Sequence, residues 1–340
     1  MRYLGWLAIL AVGCAAPGTD SMDPNDPSDP TTDGGVALPR FRNCTGRAFT
    51  PAPIQPWRHD YLTPIVTAAG AANHWGRDLM VPTTPGTVVR GKFTYGLASV
   101  DIEDEDVRVS IDDCTSWVAL GDHTTDANGE IAVPLSAGLE PGVYEVRFQV
   151  LGDRSTTSST VWVLPRGTHV IVTDIDGTLT VGDSELFKEM LDGSYVPVAY
   201  AGANDLTTAH RARGDVVMYL TGRPDWLMKT SRAWLANRGF AAGPLRVTDT
   251  LAQVLPTQAG VGEFKRSVVA SLLAAGYLVD TAYGNASTDI YAYLGANVPA
   301  DDVWIIGEHA GEQGTHAAAS WGAHVDEVKA MPATAQPFAP

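Results

Sequence analysis

Positive charge is scarce in this chain: 23 Lys and Arg stand against 39 Asp and Glu, a formal net charge of −16 with a pI of about 4.7. That balance argues against nucleic acid as a ligand, because proteins that grip polyphosphates present a basic field, and against adhesion to anionic lipid by charge alone. Long apolar runs are missing as well. The N-terminal stretch from Leu4 to Val12 falls well short of the roughly 20 residues a spanning helix needs. No EF-hand spacing accompanies the acidic cluster Asp101, Glu103, Asp104, Glu105 and Asp106, which reads as a solvated loop. His309, Glu312 and His316 lack the helical i, i+4 spacing of a zincin and read as surface residues.

Cysteine numbers only three. Arg2, the apolar run and Ala11-Val12-Gly13-Cys14 have the form of a bacterial lipoprotein signal over residues 1–14, in which Cys14 accepts lipid. Cys44 and Cys114 then remain as an even pair able to bridge in an oxidising compartment. Residues 15–40, with repeated Asp-Pro, lack apolar side chains to bury and read as a disordered tether. The expectation is an exported, membrane-anchored lipoprotein, periplasmic or at the cell surface, and monomeric.

Residues 41–165 have a β texture. Tyr144, Val146, Phe148 and Val150 alternate with Glu145, Arg147 and Gln149, the period of a half-buried strand. Similar runs at 88–95, 107–111, 131–135 and 159–164, with turn signals at Asn128-Gly129 and Pro141-Gly142, predict an antiparallel sandwich of immunoglobulin-like type. Its end is expected near Pro165-Arg166-Gly167.

The most informative segment follows in residues 166–340. The apolar run Val170-Ile171-Val172-Thr173 ends in Asp174-Ile175-Asp176-Gly177-Thr178-Leu179-Thr180. Side chains at i and i+2 of a strand point the same way, so Asp174 and Asp176 emerge together, a geometry suited to phosphoryl transfer by one carboxylate as nucleophile and the other as general acid and base. Gly177 lets the backbone turn beside a phosphate. A second buried strand, Val216 to Leu220, ends in Thr221-Gly222-Arg223-Pro224, where the Thr221 hydroxyl and the N–H groups near Gly222 can hold phosphate oxygens. Lys265 opens an amphipathic stretch and supplies a cation. A third strand leads through Gly284 to Asn285 and Asp289. Asp174, the Asp176 carbonyl and Asp289, with Asn285 through a water, make an oxygen set for Mg²⁺.

In this order the four pieces resemble the signatures of the haloacid dehalogenase (HAD) superfamily, and Asp174 to Thr180 with Gly284-Asn285 to Thr288-Asp289-Ile290-Tyr291 resembles the catalytic domain of lipins over residues 166–325. Two departures stand out: Leu179 replaces the usual Ile, and Thr221-Gly222-Arg223 replaces the usual Ser-Ala-Arg. The resemblance implies a three-layer α/β/α parallel sheet without a large cap. It also implies an Mg²⁺-dependent phosphatase that forms an aspartyl phosphate at Asp174, acts on phosphatidate or a related lipid phosphate, and takes part in lipid metabolism. Two alternatives stay open: an exported phosphatase for a soluble or protein-linked phosphomonoester, and a cell-surface binding protein with a vestigial phosphatase half.

Overall fold

The computed structural model describes residues 41–338 apart from 69, 97–98, 186–187, 189–194 and 336. The signal, Cys14 and the tether therefore lie outside the described residues. No described helix is long and apolar enough to cross a membrane.

The first half is a β-sandwich built from β1 (Arg42–Cys44), β2 (Trp75–Gly76), β3 (Leu79–Val81), β4 (Thr87–Lys92), β5 (Thr94–Tyr95), β6 (Val100–Asp101), β7 (Asp106–Asp112), β8 (Trp117–Thr124), β9 (Glu130–Leu135), β10 (Gly142–Val150) and β11 (Thr156–Val163), with one short helix, α1 (Leu62–Thr67). The larger sheet runs β3-β11-β10-β7-β8, with β1 parallel to β10; β2-β4-β9 forms a second sheet and β5-β6 a small third. Val107, Val109, Val146 and Phe148 of the large sheet pack on Val89, Ile131 and Val133 of the second. Cys44 and Cys114 form a disulfide.

Two sandwich features differ from the expectation. Strand β10 is covered on both faces rather than one, because the irregular segment before α1 lies across its outer side: Ala52 N donates to Gln149 Oε1 at 2.8 Å and Gln149 Nε2 donates back to Ala52 O at 3.0 Å. Trp57 packs over Gly152. The acidic loop is also not wholly solvated. Glu105 is buried and accepts from the N–H groups of Arg58 and His59 at 2.9 and 3.0 Å, so one carboxylate of the cluster fastens the start of α1.

The second half is an α/β domain with a parallel sheet. Its strands are β12 (His169–Thr173), β13 (Val216–Leu220), β14 (Leu245–Arg246), β15 (Leu278–Gly284), β16 (Val303–Ile306) and β17 (His316–Ala318), and its helices include α2 (Ala203–Arg213), α3 (Met228–Asn237), α4 (Leu251–Val254), α5 (Glu263–Ala274), α6 (Ser287–Gly295) and α7 (Trp321–Ala330). The spatial order is β14-β13-β12-β15-β16-β17, every pairing parallel. Strands buried on both faces need apolar residues at consecutive positions. Accordingly Val170 and Val172 face α5 and α6 through Val268, Val269 and Ile290, while Ile171 faces α2 and α7 through Leu206 and Val325. The chain leaves β12 toward β13 on one side and returns to β15 on the other, so the carboxyl end of β12 is the switch point where ligands bind in such sheets.

The two halves share buried surface. Val143, Trp162 and Leu164 of the sandwich lie in one core cluster with Phe338 and the α/β strands. Asp78, fully buried, accepts from Thr160 N at 2.7 Å within the sandwich and from Leu245 N at 3.0 Å and Arg232 Nη1 at 3.0 Å across the boundary.

Candidate functional site

Three neighbouring strand ends and one helix start meet at the switch point. Asp174 leaves β12 with its backbone N donating to Tyr283 O of β15 at 3.0 Å, which sets the direction of its side chain. Lys265, in the first turn of α5, donates from Nζ to Asp174 Oδ1 at 2.7 Å and to Asp289 Oδ1 at 2.6 Å, with all three side chains buried. The other Asp289 oxygen accepts from Asn285 N and Ala286 N at 3.0 and 3.1 Å, where an acid in the first turn also meets the helix dipole. Asp174, Lys265, Asn285 and Asp289, far apart in sequence, thus come together.

Burial pushes the Asp174 carboxyl up to about 7; the nearby Asp289 and Asp176 carboxylates push the same way and Lys265 opposes them. Burial alone would lower the Lys265 ammonium, but Asp174 and Asp289 outweigh it and the group is raised.

Asp176 has a different neighbour. Arg223, buried beneath it, donates from Nη2 to Asp176 Oδ1 at 2.8 Å and from Nε to Oδ2 at 2.9 Å, a bidentate fork anchored behind by Nη1 donating to Ser231 Oγ at 3.0 Å. Thr221 Oγ1 lies 3.3 Å from Asp176 Oδ2 and accepts from Arg223 N at 3.1 Å. The reading of the sequence gave Arg223 no role. The available signal was a guanidinium three residues past a fully apolar strand, a place where it is buried and demands a carboxylate.

Gly177 adopts φ +75°, and a Cβ there would run into Asn285 and Asp183. Asp183, also without an assigned role in the sequence reading, accepts from Asn285 Nδ2 at 3.0 Å, and burial raises its carboxyl. Gly222 gives close passage to Val261. Thr178 Oγ1 stands 3.1 Å from both Asp174 Oδ2 and Asn285 Oδ1. One hydroxyl proton serves one acceptor at a time, so one of these oxygens is always left to another partner.

The expected Mg²⁺ set draws on only two carboxylate side chains, Asp174 and Asp289, beside the Asp176 carbonyl and Asn285. Among the described residues no three His, Cys, Asp or Glu side chains converge as a metal site. An ammonium stands between Asp174 and Asp289, and the Asp176 side chain, which the expected set does not use, is turned to Arg223. Beside the Asp176 carbonyl, the oxygen donors of that set outside the Lys265 and helix-start contacts are Asp174 Oδ2 and Asn285 Oδ1. With all of Asp174, Asp176, Asp183 and Asp289 ionised against Lys265 and Arg223, the site carries a formal −2. That excess and hard oxygen donors fit a cation of the Mg²⁺ kind, which is often held by one or two carboxylates with water and ligand phosphate completing its shell.

Residues 72–163 match the family model of the PITM 1-3 β-sandwich domain, and residues 171–307 match that of the PITM 1-3 LNS2 domain. Among curated proteins, the chain is 28% identical over 267 residues to membrane-associated phosphatidylinositol transfer protein 3 of Homo sapiens, covering 76% of this chain and 26% of the relative. It is 32% identical over 210 residues to membrane-associated phosphatidylinositol transfer protein 2 of Mus musculus, covering 60% and 15%. It is 29% identical over 245 residues to protein retinal degeneration B of Drosophila melanogaster, covering 70% and 18%. The chain thus spans about a quarter or less of these relatives' length.

These findings overturn several expectations. The relatives are named for phosphatidylinositol transfer, so the assignment as a hydrolase acting on phosphatidate or another phosphomonoester gives way. The exported lipoprotein gives way too, since the names describe membrane-associated transfer proteins. The motifs that resembled lipins lie inside the LNS2 match. The sandwich and LNS2 matches, in that order along the chain, together with these relatives indicate the PITM family with its LNS2 domain rather than the lipin catalytic domain.

Proposed function

We propose that the chain is the lipid-recognition part of a membrane-associated phosphatidylinositol transfer system: an immunoglobulin-like sandwich supports a HAD-like α/β half whose switch-point site holds the phosphate of a lipid headgroup without hydrolysing it. The observation that carries this reading is the Asp176–Arg223 fork. A general acid must be free to pass a proton to the leaving oxygen and then take one from water. Asp176 has each oxygen engaged by a buried guanidinium at 2.8 and 2.9 Å, a pairing that favours a fixed anion.

In this reading Lys265 and the backbone N–H groups after Asp174 and Thr221 orient the phosphate, and Gly177 and Gly222 keep side chains out of its way. Asp174 and Asn285 would hold Mg²⁺, whose charge would offset the −2 of the site and allow an anionic headgroup to approach. Asp289 keeps Lys265 in place, since both its oxygens are engaged. Asp176 serves as the counter-ion of Arg223.

The test is binding of the full chain to glycerophosphoinositol by calorimetry with Mg²⁺ and with EDTA, alongside an assay for phosphate release from p-nitrophenyl phosphate. Saturable, Mg²⁺-strengthened binding without turnover is expected. Absence of headgroup binding, or sustained phosphate release that Asp174→Asn abolishes, overturns the reading.

A further inference from the structure

Resting on the reading of this site as one where Asp174 and Asn285 hold Mg²⁺, we propose that Asp183 is a positioning residue: its carboxylate decides which end of the Asn285 amide faces the cation. An amide has an oxygen end that binds a hard cation and an NH2 end that repels it. Asn285 is therefore a ligand in only one of its two orientations.

Three neighbours set that orientation. Asn285 Nδ2 donates to Asp183 Oδ1 at 3.0 Å, while Thr178 Oγ1 lies 3.1 Å from Asn285 Oδ1 and 3.1 Å from Asp174 Oδ2. The amide oxygen and the second Asp174 oxygen thus share one hydroxyl, and the amide nitrogen points away to Asp183. Turned over, the amide would set Oδ1 against Asp183 Oδ1, two acceptors with no proton between them, and would aim Nδ2 at the oxygens of Thr178 and Asp174. Asp174 by itself favours that second orientation, because a carboxylate draws an N–H donor strongly. Asp183 is the opposing carboxylate, and an ionised carboxylate only accepts.

The backbone lets the two side chains meet at Gly177. A Cβ there would strike both Asn285 Nδ2 and Asp183 Oδ1, so the pair joins across a residue that has no side chain, in a turn with φ +75°. That turn is fixed from behind, with Gly177 N donating to Thr180 Oγ1 at 3.0 Å and Val181 N donating to Val198 O at 2.9 Å. Asp183 is exposed and Asn285 half-buried, whereas Asp174, Lys265 and Asp289 are buried. The oriented amide therefore lies on the solvent side of the buried cluster, where a hydrated cation arrives first.

The experiment titrates Mg²⁺ alone into the full chain by calorimetry. D183N keeps the size of the side chain but brings an NH2 group of its own, which lets the Asn285 amide turn over and donate to Asp174. The variant should bind Mg²⁺ about ten-fold more weakly than the parent, the worth of one hydrogen bond to a charged group. With no amide left to orient, D183N/N285A should bind as N285A does. D183N binding like the parent overturns the positioning role, and so does an equal D183N loss in the N285A background, which would make Asp183 a ligand or a plain charge. A second readout needs no metal: with isotope-labelled asparagine, the Asn285 NH2 signals, identified by their loss in N285A, should show NOEs to Thr178 in D183N and none in the parent. Identical NOEs in the two proteins overturn the orientation whether or not Mg²⁺ binds. Failure of the parent to take up Mg²⁺ would instead remove the cation from the proposed function, so the two failures are distinguishable.

Discussion

Replacing Lys265 with Met tests whether its ammonium is the charge that lets two buried carboxylates coexist. Nζ stands 2.7 Å from Asp174 and 2.6 Å from Asp289, and Met fills similar volume with no charge. Removing one partner of a buried ion pair costs about 3–5 kcal/mol, because the remaining charge is left uncompensated. The loss should depend on pH. Asp174 is already pushed up from 3.8 to about 7 by burial and its acidic neighbours, and Lys265 is the group holding it down, so the variant's Asp174 rises further. A carboxyl raised in the folded state binds a proton that the unfolded chain has released, so its contribution to stability falls as pH climbs from the unfolded value to the folded one. In the parent that fall is complete a little above pH 7; in Lys265→Met it continues, by up to about 1.4 kcal/mol per pH unit. Urea unfolding in EDTA at pH 5.5, 7.0 and 8.5 reads this directly. With a slope of about 3 kcal/mol/M, the pH 8.5 midpoint should drop by about 1–1.7 M. The loss should shrink at pH 5.5. A pH 8.5 midpoint equal to the parent's, or a deficit equal at all three pH values, would refute the neutralising role.

Arg223→Met should destabilise by about 3–5 kcal/mol through the orphaned Asp176, and Arg223→Lys should recover only part of it, because one ammonium cannot span both Asp176 oxygens and Ser231; equal urea midpoints for Lys and Arg would show that the fork is dispensable. Cys114→Ser opens a link across 70 residues of sequence, worth about 4 kcal/mol in the chain-entropy account. Thermal unfolding of the parent with dithiothreitol should then coincide with that of the variant, and a reductant-insensitive parent would contradict the bridge.

The parallel sheet was legible because its chemistry is local. Val170 to Val172 and Val216 to Leu220 are apolar without interruption, as strands covered by helices on both faces must be, and each is followed by a Gly-containing turn. The sandwich strand β10 misled for the complementary reason. Glu145 and Gln149 read as water-facing, yet they are buried because the irregular segment at 46–52 supplies Gly46 N and Ala52 N to their side chains. Periodicity records polarity, and it cannot tell a polar group solvated by water from one solvated by another stretch of backbone. Glu105 is the same case, with Arg58 N and His59 N in place of water. The buried chain from Asp215 through His210 and Tyr283 to His324, with contacts of 2.7, 2.6 and 3.0 Å, left no trace in the sequence because its members are scattered over three elements and a turn and follow no common period.

The site residues and the function were legible to different degrees because they depend on different distances. Asp174 and Asp176 share a direction by virtue of strand geometry alone, whatever surrounds them, and Asn285 and Asp289 share a turn. What a carboxylate then does is decided by its partner, and the partners came from afar: Lys265 is 91 residues from Asp174 and Arg223 is 47 from Asp176. A free acid beside the first carboxylate makes a proton shuttle; the same acid forked onto a buried guanidinium makes a fixed negative wall. An identical Asp-Ile-Asp-Gly-Thr run therefore suits either a hydrolase or a holder of phosphate, and the difference lies in whether Arg223 is spent on Asp176 or left for the ligand. If the fork opens when a headgroup binds, Arg223 would be seen to exchange its carboxylate for the phosphate, and its Nε–H signal in NMR would move on titration with glycerophosphoinositol. If the fork stays closed, that signal remains where it is, and the phosphate is held by Lys265, the strand-end N–H groups and the cation alone, the arrangement proposed above.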